Sequence, residues 1–304
     1  MSASTVEAGR ETTERADARG RDRQRQGVVV TGASSGIGEA SVLYLEQLGF
    51  QVFAGVRNEA DAERLRSEST GNLTPISIDV TDQDSIRAAA SQVTDAVGED
   101  GLAGLVNNAG VAISGPLEFI PIDELRRQLE INLIGQVAVT QAFLALLRKR
   151  RGRIVNVSSI GGRIALPFAG PYAASKFGIE AISDSLRREL RPWGIEVSVI
   201  EPGSVATRIW EKGTAKAREL SEDLPAEGRE LYGGAIALMQ KAAADTAARG
   251  IPPEEVAKDV AHALTSGKPK TRYLVGRDAK MRARVAKFAP DRVFDRMVAR
   301  ALGM

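Results

Sequence analysis

Tyr172 and Lys176 stand four residues apart, a spacing that on a helix puts both side chains on one face about a turn from each other. A phenol beside an ammonium is an acid/base device. A free phenol titrates near pH ~10, and holding it near ~7 takes about 4 kcal/mol of preference for phenolate. A cation ~4 Å away supplies about that much at an effective dielectric of ~20. Such a phenol can remove the hydroxyl proton of an alcohol while hydride leaves the same carbon, provided it reaches that oxygen. Ser159, thirteen residues before Tyr172, carries a hydroxyl suited to orient the same oxygen, and Asn132 adds a polar group on the preceding apolar helix.

Composition removes the competing chemistries. The 304 residues include no cysteine and one histidine, His262. Thiolate nucleophiles, Cys-ligated zinc, a Ser-His-Asp triad and multi-histidine centres therefore lack their groups, and no metal site is expected. A formal charge of +2 offers no general attraction for polyanions, so no nucleic-acid partner is expected. No run of about 18 uninterrupted apolar residues occurs, so no transmembrane segment is expected. The N-terminus lacks the apolar run of a secretory signal, and the missing cysteines suit a reducing compartment; the expected location is cytoplasmic.

A phosphate cradle precedes these residues. Thr31-Gly32-Ala33-Ser34-Ser35-Gly36-Ile37-Gly38 places three glycines where a β-branched run turns into a helical pattern, letting backbone approach a pyrophosphate at the helix N-terminus. Asp79 closes the third strand, where its carboxylate can accept an adenine amino group while Val80 lines the adenine slot; helix capping suits Thr81 or Asp82 better. Asn107-Asn108-Ala109-Gly110 follows the fourth strand, where amides can fix a cofactor or brace the central strands.

The elements that must position these groups alternate. Strands are expected at 28–30, 51–56, 73–78, 104–106, 153–157, 195–200 and 273–275, with helices between them, including a long one over 122–150 interrupted at Gly135. This is the pattern of an α/β, doubly wound, Rossmann-type fold with a central parallel sheet flanked by helices on both faces. Residues 1–26 read as a flexible tail, 27–279 as one catalytic domain with a lid over about 204–250, and 280–304 as a basic amphipathic helical extension that docks on the protein's own surface.

In the order Thr31 to Gly38, Asn107 to Gly110, Asn132, Ser159, Tyr172-Ala173-Ala174-Ser175-Lys176 and Pro202-Gly203, the chain resembles the short-chain dehydrogenase/reductase family in its single-domain form. The resemblance implies a catalytic tetrad of Asn132, Ser159, Tyr172 and Lys176. It implies that Lys176 also holds the cofactor ribose, and that Asn132 opens its helix to a water that leads protons from Lys176 to solvent. Thr207 falls where the family's threonine meets the nicotinamide carboxamide, and the Val205 amide is a second candidate for that contact.

Selection of NAD usually places a carboxylate at the end of the second strand, and here Val56 is followed by Arg57, whose guanidinium suits a 2′-phosphate. NADP(H) is therefore favoured over NAD(H). Ile160, Gly161, Arg163, Leu166, Phe168 and the lid suit a hydrophobic alcohol or ketone, in keeping with a likeness to members acting on retinoid, steroid or other lipid-like alcohols. Arg163 reads as a rim charge or as a partner for a substrate carboxylate. Apolar Leu125, Leu129, Ile131, Val137 and Val139 on the long helix suit a homodimer or homotetramer. The competing class is a non-catalytic regulator that senses nucleotide on the same fold.

Overall fold

The computed structural model describes residues 26–302, so the expected 1–26 tail lies almost wholly outside the described residues. Seven parallel strands form one sheet in the order β3-β2-β1-β4-β5-β6-β7. They are β1 Gly27–Val30, β2 Gln51–Val56, β3 Leu73–Ser77, β4 Leu102–Asn107, β5 Arg153–Val157, β6 Glu196–Pro202 and β7 Arg272–Val275. Val28 and Val30 pack into one apolar cluster and Val29 into another on the opposite face. A strand covered on both faces needs apolar residues at every position, which is why β1 reads as an unbroken valine run rather than an alternating one.

The helices are α1 Gly36–Gln47, α2 Glu59–Glu68, α3 Gln83–Val97, α4 Ile122–Leu129, α5 Gly135–Arg150, α6 Gly170–Glu189, α7 Arg208–Glu222, α8 Ala226–Ala248, α9 Pro253–Thr265, α10 Arg277–Phe288 and α11 Asp291–Leu302. Asn58 caps α2 and Asp82 caps α3, each accepting backbone N–H groups of the first turn. The strand order reverses between β1 and β4, so a crevice opens beyond their carboxyl ends, with the glycine loop following β1 and Asn107–Gly110 closing β4.

Several differences from the sequence expectation have physical causes. The long helix is interrupted by a π turn at Glu130–Ile134, with Gly135 resuming the α-helix. Gly135 sits there because a Cβ would lie 2.5 Å from the Val80 carbonyl oxygen. Ile122–Arg150 also reaches the length and hydropathy of a membrane span, which a search for uninterrupted apolar runs overlooks. In this fold Val139, Phe143, Leu146 and Leu147 are buried in the core, and Val139 is therefore unavailable as an association surface.

The span from 204 to 250 is mostly helical, as α7 and α8, and α9 has no counterpart among the expected elements. Its Val256, Ala257, Val260, Ala261 and Leu264 are buried against α1 and the sheet, a helical apolar spacing hidden by its alanines. The C-terminal extension begins at Arg277, earlier than expected, and Ala279 and Ala283 dock it on Ile160 and Ile164.

Candidate active site

Ser159 follows β5, and its hydroxyl accepts the Gly161 N–H at 3.0 Å. Tyr172 lies half-buried in the first turn of α6. Glycine at 161 allows the approach, since a Cβ would stand 3.1 Å from Cε1 of Tyr172. Lys176, one turn on, is buried; its Nζ donates to the Val157 carbonyl at 2.8 Å and lies 5.7 Å from the Tyr172 ring centroid.

The electrostatics run against the simple expectation. Burial pushes the Tyr172 phenol above its ordinary value, opposed by a hydrogen bond with Ser159. Burial likewise drives Lys176 down to about 8, opposed by the Glu180 carboxylate. The ammonium is anchored on β5 rather than on the phenol oxygen, so the chain alone keeps Tyr172 protonated at neutral pH.

Asn132 sits fully buried in the π turn. Its Oδ1 accepts the Val111 N–H at 2.9 Å, and its Nδ2 donates to the Val111 carbonyl at 2.9 Å and to Ser175 Oγ at 3.2 Å. The helix does open locally here, but the amide is engaged by the loop after β4 and by α6, not by Lys176. Ser175 in turn donates to the Tyr172 carbonyl at 2.7 Å, so Asn132 braces the turn that carries the phenol.

The glycine loop is tight enough to identify what its glycines are for. Gly32 and Gly36 adopt φ of 65° and 60°. A Cβ would lie 2.7 Å from Ala109 Cα at Gly32, 2.2 Å from the Gly32 oxygen at Gly38, and 2.9 Å from Thr207 Cγ2 at Gly36. Ser35, at the N-cap of α1, makes no side-chain capping bond, so the first amides of that helix, Ile37 and Gly38 among them, keep their donors open to an anion. These features fit a dinucleotide pyrophosphate. The loop is held by a residue that the sequence reading omits: Arg64 of α2 donates from Nη2 to the Ser34 carbonyl at 2.7 Å and pairs with Glu39.

Arg57 is exposed and lines a cavity of about 470 Å³ with Asp79, Thr81, Arg126, Arg127, Glu130 and Ile131. The Asp79 carboxylate accepts the Thr81 N–H at 2.9 Å and hydroxyl at 2.7 Å. Burial raises its pKa, but those bonds and the Arg57 charge outweigh it and leave it below the ordinary carboxylate value. Val80 belongs to the apolar core and packs on the Gly135 side.

Asn107 is buried and donates to Thr140 Oγ1 and Asn156 Oδ1, both at 2.9 Å, which makes it a brace between α5 and β5. Asn108 is the amide at the glycine loop, donating to the Thr31 and Gly32 carbonyls at 3.0 Å. Ala109 N–H bonds Thr31 Oγ1, and Gly110 lies beside Asn132 Oδ1.

At the end of β6, Pro202 pairs with Val275, and Gly203 leaves room for Asp278, whose carboxylate accepts the Ser204 N–H and hydroxyl at 2.9 Å. Val205 is buried and bridged to Ile251, while Thr207 caps α7 through its backbone and rests on Gly36. Three pocket expectations are corrected. Ile160 is core, Leu166 packs against that same cluster, and Arg163 is salt-bridged through Nε and Nη2 to buried Glu201 rather than standing as a free rim charge. Phe168, the other expected pocket side chain, joins an aromatic cluster with Phe119 and Tyr232, in which Tyr232 is edge-on to both rings at 5.9 and 6.1 Å.

Comparison with known proteins agrees with this geometry. The family model described as short chain dehydrogenase matches residues 26–218. The chain is 40% identical over 281 residues to 17-beta-hydroxysteroid dehydrogenase type 6 of Bos taurus, covering 90% of this chain and 88% of that protein. It is 39% identical over 274 residues to the NADPH-dependent 3-dehydrocapnine reductase of Ornithobacterium rhinotracheale, covering 88% and 94%. Among solved structures, a short-chain dehydrogenase from Streptomyces avermitilis superposes with a TM-score of 0.72 at 27% identity, over 90% of this chain and 94% of that one.

Proposed function

The chain belongs to the short-chain dehydrogenase/reductase family and is an NAD(P)-dependent oxidoreductase of CH–OH groups; from that premise we propose that it interconverts a hydrophobic alcohol and its ketone or aldehyde, with NADP(H) preferred over NAD(H). The observation that carries the proposal is the convergence of Ser159, Tyr172 and Lys176 beyond the carboxyl ends of the strands, where the Gly32–Gly38 loop also lies.

The nicotinamide, when bound, supplies or accepts the hydride. Gly32, Gly36 and Gly38 with the opening amides of α1 would hold its pyrophosphate, and Thr207 stands beside that loop. The Ser159 hydroxyl holds the substrate oxygen, and the Tyr172 phenol donates its proton to that oxygen in reduction and takes it back in oxidation. Lys176 opposes the burial penalty of the phenolate by its charge.

Support for NADP(H) is the absence of a carboxylate after β2 and the exposed Arg57, part of whose field falls on Asp79. Support for an apolar substrate is the aromatic cluster of Phe119, Phe168 and Tyr232 and the steroid named by a relative. Residues 27–279 act in this proposal as one catalytic unit with α7 and α8 as its lid, in the cytoplasm. Exposed Ile122, Ile134 and Phe177 on α4, the π turn and α6 favour pairing with a second copy into a dimer or tetramer.

Titration with NADPH and NADH, followed by nicotinamide fluorescence and then by a panel of hydrophobic ketones, tests the reading. Tighter NADPH binding with ketone-dependent oxidation is expected. Binding without turnover of any ketone, aldehyde or alcohol would favour the nucleotide-sensing regulator. A monomer mass by light scattering would reject the association.

A further inference from the structure

Behind the catalytic face lies a charged cluster that the reaction as described does not use. Glu201 on β6 is fully buried, and Glu180, one helical turn beyond Lys176 on α6, is 8% exposed. Arg163, after the turn Ile160–Gly162, donates from Nε and Nη2 to Glu201 Oε1, both at 2.8 Å. Arg272 of β7 donates from Nε to Glu180 Oε2 at 3.0 Å, lies 3.4 Å from Glu201 Oε1, and reaches Asp184 Oδ1 from Nη2 at 2.9 Å. One oxygen of each glutamate is thus held by a guanidinium.

The other oxygens, Glu201 Oε2 and Glu180 Oε1, are buried without a partner when both groups are drawn ionised, although the two carboxyls are within hydrogen-bonding contact. Gly162 leaves room for the Glu180 side chain there, because a Cβ at that position would meet Glu180 Cγ at 3.1 Å. Orphaned buried oxygens are rare, and adjacent buried carboxyls resist double ionisation. A single proton between them removes both difficulties.

We propose that Glu180 and Glu201 share one proton, and that Glu180 is a positioning residue which keeps Lys176 an ammonium from the side opposite Tyr172. The second clause rests on the role assigned to Lys176 above. The charges facing the pair are Lys176 and Asp184 from α6, Arg163 from the turn after β5 and Arg272 from β7. Burial, reinforced by Glu180 and opposed by Arg163, raises Glu201 to about 7. As pH rises through that value the pair passes from one negative charge to two. Its pull on Lys176 therefore grows as the solution begins to strip the ammonium, whose own value is about 8.

Two measurements on the full chain test this without relying on turnover. Infrared difference spectra of the wild-type protein across about pH 5 to 9 should show the carbonyl band of a buried carboxylic acid at neutrality, lost in Glu201→Gln. No such band overturns the shared proton. In protein labelled at lysine Cε, the resonance assigned through Lys176→Arg should titrate at least about one unit lower in Glu180→Gln. Glu201→Gln, which keeps the hydrogen bond and caps the pair at one charge, should move it the same way and serves if Glu180→Gln does not fold. An unmoved midpoint overturns the positioning role, whereas failure of ketone reduction in the wild type would count against the dehydrogenase reading alone.

Discussion

Tyr172 is protonated in the resting chain because burial raises its phenol and its cation is tied to the Val157 carbonyl, so the enzyme is poised as an acid. Reduction needs the protonated phenol and oxidation the phenolate. With the phenol raised, kcat for ketone reduction should hold through neutrality and fall only on the alkaline side, while alcohol oxidation rises over the same range. A reduction profile that already falls below neutrality would contradict this. Tyr172→Phe removes the transferable proton and should lower kcat by about 10²–10⁴-fold with NADPH affinity retained, measured by fluorescence titration alongside the assay. Arg57→Ala should weaken NADPH about tenfold or more and leave NADH little changed, since a charge-assisted bond contributes about 1.5–3 kcal/mol. Residue identity was legible in sequence wherever spacing carried chemistry, as with Tyr172 and Lys176. It was not legible for Asn107 and Asn108, adjacent amides whose strand alternation sends one to the sheet interior and the other to the glycine loop.

The π turn is the element on which the site's frame depends. Asn132 there satisfies both backbone groups of Val111 and reaches Ser175, which in turn bonds the Tyr172 carbonyl. Asn132→Ala leaves the Val111 N–H unpaired, while Gln128 Nε2 still donates to the Val111 carbonyl at 2.9 Å, and should cost about 1–3 kcal/mol. A lower urea midpoint together with reduced kcat is expected, and an unchanged midpoint would show that the loop finds other partners. The strands, and the helices before residue 204, followed from apolar patterning to within a few residues because buried parallel strands and amphipathic helices leave different periods, whereas α9 did not. The π turn left no such trace, since one extra residue in a helical turn barely alters the apolar spacing.

Across the whole molecule, charges distant in sequence meet on the far side of Lys176, and they give folding a pH dependence. Glu201 has a folded value of about 7 against an ordinary 4.5. The folded state therefore binds more protons than the unfolded state between these values, so this contribution is complete below about 4.5 and is lost as pH rises through about 7. The urea midpoint of the wild type should fall over that window more steeply than that of Glu201→Gln, and parallel curves would exclude the effect. By itself the sequence determined the alternation of buried strands and helices, the glycine loop and the Tyr172–Lys176 pair, because each is set by neighbours within a turn or a strand. Only the tertiary structure decided that Arg163 serves Glu201, that Val139 and Ile160 are core, and that Arg64 and Asp278 anchor the loops. Those outcomes depend on which side chains the sheet brings together across many tens of residues, and local periodicity carries no information about such pairs.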